Sequence, residues 1–150
     1  MILFLDIDGV LNSQRYLRAM GSSWDNDSLP ESQIDPAAVE LLDQVLARTS
    51  ARIVVSSTWR LSHTPHALDA MLVKRGLRAG HVIDRTADLH GRPRGDEIKL
   101  WLDTHECGRF VILDDDSDMG PLLHRLVQTD GAIGLQPEHV ERVVALLEAP

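Results

Sequence analysis

Short apolar runs alternate with longer amphipathic stretches along the chain, and this alternation predicts its secondary structure. Strands are predicted at five apolar runs, which are residues 1–6, 51–57, 81–84, 109–113 and 125–129. Helices are predicted to begin where amphipathic stretches start, at Asp35-Pro36, Thr64-Pro65, Arg94 and Pro137. Gly76 and Gly108 are expected to end the second and third of these helices, and the polar segment 13–34 is interpreted as a loop.

Strands that alternate with helices predict a parallel sheet that is covered on both faces. We therefore expect a doubly wound, Rossmann-like α/β fold of about five strands, with residues 1–150 forming one domain. The chain has 150 residues, of which 43% are hydrophobic, so it is long enough to bury a sizeable core. In sheets of this kind the binding site lies beyond the carboxyl ends of the strands, where the strand order reverses.

Polar residues follow three of the predicted strands. Asp6 and Asp8 end the first strand, Ser56 the second, and the run from Asp114 to Asp118 the fourth. Extended residues i and i+2 point to the same side, so Asp6 and Asp8 face one space, with Cα atoms roughly 6–7 Å apart. Clustered carboxylates repel one another, and a hard divalent cation such as Mg²⁺ is the usual compensation. Gly9 fits a tight turn that lets the backbone approach a ligand.

Three segments resemble motifs of the haloacid dehalogenase-like (HAD) phosphatase superfamily. "FLDIDGVLN" resembles its first motif, "IVVSS" its second and "FVILDDDSDM" its fourth, in the same order along nearly the whole chain. Within the superfamily, "DGVLN", "SSTWR", "RGDEI" and "ILDDDSDM" are similar to the small HAD domains found beside RNA-repair enzymes. The resemblance implies a magnesium-dependent phosphomonoester hydrolase that works through an aspartyl-phosphate.

The resemblance also implies a role for each matching residue. Asp6 would attack phosphorus, and Asp8 would protonate the leaving oxygen and then activate water. Asp114 would bind Mg²⁺ together with Asp6 and the backbone carbonyl of Asp8, and Asp115 is a further candidate ligand. Ser56 would donate a hydrogen bond to a phosphoryl oxygen.

The third motif of the superfamily requires a cation that offsets charge on the phosphoryl group and the nucleophile. Arg94 and Lys99 both compete for this position, and we favour Arg94 because it resembles the family's Lys-Gly variant. Arg can grip phosphate with two parallel hydrogen bonds. Ser57, Arg60, Lys99 and Gly9 are the candidate substrate-binding residues, although Arg60 could equally be a surface arginine.

Structural roles are also considered for two tryptophans and two aspartates. Trp59 is expected to pack in the core or act as a wedge rather than stack on a base, and Trp101 lies on an apolar helix stripe. Asp116 and Asp118 could support the metal or could serve as helix caps.

Other classes of protein remain open. A PIN-type metal-dependent nuclease also begins with a strand that ends in Asp, but it would not need the Asp6 and Asp8 pair. A receiver-like or non-catalytic phosphate-binding domain would carry its phosphorylated Asp after a later strand. The chain lacks the G-x-G-x-x-G pattern of dinucleotide-binding enzymes. A small-molecule or nucleotide phosphatase of the same fold is the nearest alternative.

The spacing of the motifs bounds the size of the substrate. The gaps at 13–50 and 61–93 are already used by predicted core elements, so no separate cap domain is expected. An open site suits a terminal phosphate on a large substrate such as a polynucleotide. The net charge of −8 disfavours non-specific nucleic-acid binding, whereas the arginines near the motifs favour it.

The single Cys107 and the lack of a signal peptide or membrane span lead us to expect a cytoplasmic protein.

Overall fold

The computed structural model describes residues 1–21 and 30–149. Within the predicted loop 13–34 it places a helix, α1 (Gln14–Ala19), and a short 3-10 helix, Pro30–Gln33. The hydroxyl of Ser13 begins α1 by accepting a hydrogen bond from the backbone N–H of Tyr16. The loop interpretation was therefore wrong for these two stretches, because α1 is too short to show a hydrophobic period. The rest of the predicted loop, 22–29, lies outside the described residues.

Five parallel strands form one sheet in the order β3-β2-β1-β4-β5, which confirms the predicted doubly wound α/β fold. The strands are β1 (Ile2–Leu5), β2 (Arg52–Val55), β3 (Val82–Arg85), β4 (Phe110–Asp114) and β5 (Leu126–Gln128). Their positions agree with the predicted runs to within a few residues. The chain reverses its direction of travel across the sheet between β3 and β4, which places the switch point beside the carboxyl end of β1.

Four longer helices cover the sheet: α2 (Pro36–Thr49), α3 (Pro65–Lys74), α4 (Arg94–Thr104) and α5 (Pro137–Glu148). Asp35 and Thr64 cap α2 and α3 as predicted, and a proline opens each of these helices. No helix in the described part of the chain is long and apolar enough to cross a membrane. The described residues of the two intermotif gaps form these core elements and their connections, and they form no cap domain.

Alternate residues of β1 point into two separate hydrophobic cores. Leu3 and Leu5 pack with residues of α2, α3 and α5 on one face of the sheet. Ile2 and Phe4 pack with Ile98, Trp101 and others on the opposite face, under α4. The predicted core position of Trp101 is confirmed, and its ring meets that of Phe4 edge to face at 5.4 Å. Because β1 is buried on both faces, its carboxyl end is held rigidly where the site lies.

Candidate active site

Three strand ends meet at the carboxyl edge of the sheet. The last residue of β1, Leu5, pairs in register with β2 on one side and with β4 on the other. The residues that come next in register are Asp6, Ser56 and Asp114, which therefore stand side by side across three neighbouring strands. The backbone N–H of Asp6 donates to the carbonyl of Leu113 at 3.0 Å, so the alignment continues one residue past the strand. All three side chains are buried or nearly so.

Asp6, Asp114 and Asp115 form an acidic cluster. Each offers a carboxylate oxygen, and these oxygens lie within 4.8 Å of one another. Asp115 reaches the cluster because two glycines leave room for it. A Cβ on Gly9 would lie 2.1 Å from Oδ2 of Asp115, and one on Gly131 would lie 2.8 Å from the same atom. The positive φ of Gly9, 76°, agrees with the predicted tight turn, and the approach of its backbone to a ligand stays a prediction.

Arg94 provides a cation at the acidic cluster. Its Nη1 donates to Oδ1 of Asp6 at 2.8 Å and lies 3.2 Å from Oδ2 of Asp114. Burial acts to lower the pKa of Arg94, but the charges of Asp6 and Asp114 outweigh it, so the pKa lies above its ordinary value. The guanidinium is therefore a permanent positive charge beside the candidate nucleophile.

The first turn of α4 fixes Arg94. Pro93 precedes the helix and supplies no side-chain cap. The cap comes instead from Asp118, whose carboxylate accepts the backbone N–H of Arg94 at 2.9 Å. Gly95 allows this contact, because a Cβ there would lie 2.4 Å from the carbonyl oxygen of Met119. Of the two roles open to Asp118, the structure places it in the helix-capping one.

Burial and mutual repulsion disfavour the charged forms of two of the clustered acids. Burial first, and then the charge of Asp6, raise the pKa of Asp114 to about 7. The same two causes raise the pKa of Asp115. Oδ2 of Asp114 is buried and has no hydrogen-bond partner among the described residues, although Arg94 lies within ion-pairing distance. Arg94 therefore supplies only part of the compensation that these buried carboxylates require when charged.

The donor set of the acidic cluster fits a divalent metal ion. When ionised, three carboxylates and the guanidinium of Arg94 carry a formal charge of −2, which a divalent cation would balance. The ligands are oxygen atoms alone, which hard cations prefer. The orphaned oxygen of Asp114 would gain a partner in such a site. The cluster of Asp6, Asp114 and Asp115 could therefore hold a metal ion, and the side chain of Asp116 is not part of it.

The carboxylate of Asp8 is not a member of the acidic cluster and has partners of its own. It accepts a hydrogen bond at Oδ1 from Nδ2 of Asn12 at 2.9 Å. The indole Nε1 of Trp59 lies 3.1 Å from both of its oxygens. Burial raises the pKa of Asp8, and these two hydrogen bonds offset part of that rise. The raised pKa suits a group that must carry a proton in one step and accept one in the next.

Ser56 and Ser57 occupy different environments, although both are fully buried. Oγ of Ser56 has no hydrogen-bond partner among the described residues, which leaves its O–H free to donate. Oγ of Ser57 accepts the backbone N–H of Trp59 at 3.4 Å and so caps the 3-10 helix Thr58–Leu61. Ser57 is thus placed as a structural cap rather than as the substrate-binding residue that the sequence predicted. The N–H of Gly9 is likewise engaged, because it donates to Oδ1 of Asn12 at 3.0 Å.

Two predicted substrate-binding cations lie elsewhere. Arg60 is only 4% exposed and forms an ion pair with Glu97 at 2.6 Å. Its guanidinium also donates to the carbonyls of Ser56 and Thr86, so its donors are already used within the protein. Lys99 lies on an exposed part of α4 and pairs with Asp103, one turn further along the helix. Both substrate-binding assignments are therefore corrected, and of the two candidates for the cationic position only Arg94 reaches the cluster.

The sequence pattern did not single out Asn12 or assign Trp59 to the site. Asn12 closes the "DIDGVLN" segment, and its position after two buried apolar residues was the available signal. Trp59 follows the second strand by a few residues, so its proximity to Ser56 was foreseeable. Its contact with Asp8, 51 residues away, depends on how the 3-10 helix turns.

Comparison with known families agrees with the motif resemblance. The profile of one family, described as the HAD domain in Swiss Army Knife RNA repair proteins, matches residues 2–140. Comparisons with curated proteins and with solved structures found no match. The family match spans all five strands and every residue of the acidic cluster. The protein therefore belongs to the family of HAD domains in Swiss Army Knife RNA repair proteins.

Proposed function

We propose that the protein is a magnesium-dependent phosphomonoester hydrolase, that Asp6 is its nucleophile, and that its substrate is a terminal phosphate on a polynucleotide. The observation that carries this proposal is the placement of Asp6 beside both the guanidinium of Arg94 and the carboxylates of Asp114 and Asp115. A phosphoryl group at that point would meet a nucleophile, a cation and a metal-binding cluster together. Membership of a HAD family supports a phosphatase of this kind.

In the first step, a carboxylate oxygen of Asp6 forms a bond to phosphorus while the bond from phosphorus to the leaving oxygen breaks. Asp8 transfers its proton to that leaving oxygen, which departs as an alcohol. Arg94 offsets the negative charge shared by Asp6 and the phosphoryl group, and Ser56 donates its free O–H to a phosphoryl oxygen. Mg²⁺ bound by Asp6 and Asp114, with Asp115 near, would neutralise charge on the phosphoryl oxygens.

In the second step, water attacks the phosphorus of the aspartyl-phosphate. Asp8, now ionised, accepts the proton of that water, and the bond between phosphorus and Asp6 breaks. Inorganic phosphate leaves and Asp8 is again protonated, so the cycle closes with no net change in the protein. The same carboxyl acts as acid and then as base, which its raised pKa favours.

The choice of a polynucleotide rests on site access and on the family. The described residues form no cap domain over the carboxyl edge of the sheet, so a small leaving group would find few contacts. Binding energy from remote parts of a substrate is what positions the reacting centre, and an extended substrate can supply it. The family's description places such domains in RNA repair proteins. Arg94, the cation at the acidic cluster, favours this choice against the net charge of −8.

The test compares a 3′- or 5′-phosphorylated oligonucleotide with the corresponding mononucleotide at low salt. We expect kcat/KM to be higher for the oligonucleotide, to fall as salt screens phosphate contacts, and to vanish after chelation of divalent ions. Gel analysis of the same reactions reports chain length. Equal kcat/KM values would contradict the polynucleotide and leave a small-molecule phosphatase. Internal cleavage of the oligonucleotide would contradict the phosphatase and favour a nuclease.

A further inference from the structure

Two side chains from different parts of the fold hold the carboxyl of Asp8. Asn12 donates to Oδ1 at 2.9 Å, and the indole N–H of Trp59 is shared between Oδ1 and Oδ2 at 3.1 Å each. We propose that Trp59 is a positioning residue whose N–H fixes the Asp8 carboxyl in the orientation from which it exchanges a proton with the leaving oxygen. This inference rests on the proposed phosphatase activity and names a further residue that this activity requires.

The hydrogen bonds distinguish the two oxygens of Asp8. The amide of Asn12 is itself oriented, because its Oδ1 accepts the backbone N–H of Gly9 and its Nδ2 therefore faces Asp8. Oδ1 of Asp8 consequently accepts from both partners, whereas Oδ2 accepts, among the residues that the structure describes, only from Trp59. Oδ2 keeps the greater capacity for a proton. Asn12 thus distinguishes the two oxygens, and the contact with Trp59, which spans both, holds the carboxyl group in the orientation from which Oδ2 offers that proton.

Trp59 can hold an orientation only if its own turn is fixed, and the buried Arg60 fixes it. Arg60 directly follows Trp59 and donates through Nη1 to the carbonyl of Ser56 at 2.6 Å and through Nε to the carbonyl of Thr86 at 3.1 Å. Its Nη2 also pairs with Glu97, and the side chains of this pair are 4% and 8% exposed. These bonds tie the 3-10 helix Thr58–Leu61 to the ends of β2 and β3.

Glu97 extends this support to the opposite side of the site. It lies on α4 three residues after Arg94, so one helix carries both the cation beside Asp6 and the anchor of the Trp59 turn. The backbone N–H of Leu89 donates to the second oxygen of Glu97 at 3.1 Å and fixes that side chain further. One buried ion pair therefore connects the helix that carries Arg94 with the turn that carries Trp59.

If Trp59 positions Asp8, the effect of replacing Trp59 on the reaction rate should depend on the leaving group of the substrate. Proton transfer from Asp8 matters most for an alkyl leaving group, whose oxygen is a poor anion, and least for a nitrophenol, which leaves as a stable anion. Loss of the Trp59 N–H should therefore slow alkyl phosphates far more than nitrophenyl phosphate. A purely structural role in packing would slow all substrates by a similar factor.

The experiment measures kcat/KM of the Trp59→Phe variant on a series of aryl and alkyl phosphates of graded leaving-group acidity. This parameter reports the steps up to release of the leaving group. We expect kcat/KM to fall by about 10- to 100-fold for the alkyl phosphates and by less than about threefold for nitrophenyl phosphate. A misplaced general acid can lose at most the rate enhancement that it provides when it is correctly placed. The matched control is Trp101→Phe, which removes the indole bond to Asp84 and should leave the series unchanged.

A double-mutant cycle with Asp8→Asn completes the test. If Trp59 acts through Asp8, Trp59→Phe should cause little further loss once Asp8 has been replaced. An equal loss across the leaving-group series, or a full additional loss in the Asp8→Asn background, would overturn the positioning role. Thermal unfolding checks that each variant is folded, and Trp59→Leu replaces Trp59→Phe if the latter is not. If the positioning role of Trp59 fails this test while the wild-type protein still turns over phosphate esters, the proposed phosphatase activity is not contradicted. Full activity of Asp6→Asn would instead refute the phosphatase mechanism itself.

Discussion

Arg94 lies 2.8 Å from Asp6, although the two residues are 88 positions apart in the chain. The contact joins the first residue of α4 to the first residue after β1, so a helix N-terminus and a strand end meet over the sheet. This cation balances part of the charge of the acidic cluster and leaves the remainder for a metal ion. The geometry gives Arg94 the position that the sequence left open between two candidates.

Replacement of Arg94 should remove a charge that acts in the transition state. We expect Arg94→Ala to lower kcat by about 10²- to 10³-fold, the loss typical of a group that stabilises developing negative charge. Arg94→Lys should recover only part of it, because a compact ammonium cannot reproduce the guanidinium geometry. The control is Lys99→Ala, which lies on the same helix but pairs with Asp103. Comparable losses in both variants would contradict the assignment.

Asp118 should contribute to stability and activity through the cap of α4. Asp118→Ala removes the acceptor for the backbone N–H of Arg94, which we expect to lower the free energy of unfolding by about 0.5–2 kcal/mol. Urea denaturation measures this change. We expect kcat to fall as well, because the backbone of Arg94 is no longer held by Asp118. Asp103→Ala, at the other end of the helix, should change neither quantity. An unaltered unfolding curve for Asp118→Ala would show that the cap is not needed.

The ion pair between Arg60 and Glu97 should be far more sensitive than the exposed pairs. Because both side chains are almost fully buried, Arg60→Ala leaves an uncompensated carboxylate and should cost about 3–5 kcal/mol of unfolding free energy. Arg48→Ala breaks a pair with Glu141 of the same 2.6 Å length on the surface, and we expect only a slight effect. Chemical denaturation compares the two variants. Similar losses would mean that burial of the Arg60 pair is not what matters.

The stability of the metal-free protein should depend on pH through Asp114. Its folded pKa of about 7 lies above the ordinary value of 3.8, so the folded state binds the proton more tightly. This contribution is complete below the ordinary value and is lost as pH rises through the folded pKa. We expect the Tm in chelator to fall between about pH 4 and pH 7 and to level off above that range, and added Mg²⁺ to raise it most at the higher pH. Asp114→Asn should weaken both effects, and the remainder should come from Asp115 and Asp8, whose pKa values are also raised. A Tm in chelator that rises over this range would contradict this origin.

Local sequence patterns were sufficient to predict the order of the strands and helices and the three strand ends that carry polar residues. Asp6, Ser56 and Asp114 were predictable because carboxyl ends of parallel strands share one edge of a sheet. The helix α1 was missed because its six residues depend on one cap at Ser13. The single-domain organisation and the cytoplasmic location stay predictions.

The side-chain environments could not be predicted, because they depend on contacts between segments that are distant in sequence. Arg60 was expected at the substrate, yet its charge is used by Glu97, 37 residues further on. Trp59 was expected to pack in the core or act as a wedge, and it does pack against the core, but its N–H also donates to Asp8. A sequence gives the type of each group, but whether a buried polar group is already satisfied is decided by the tertiary fold.

The central claim is that Asp6 becomes phosphorylated, and mass spectrometry of acid-quenched reactions tests it directly. Asp8→Asn removes the base for the second step, so this variant should accumulate a phosphoryl group when it is mixed with Mg²⁺ and nitrophenyl phosphate. We predict that peptide mapping places the group on Asp6 and that Asp6→Asn carries none. A phosphoryl group on another residue, or none in any variant while the wild-type protein turns over, would contradict the account.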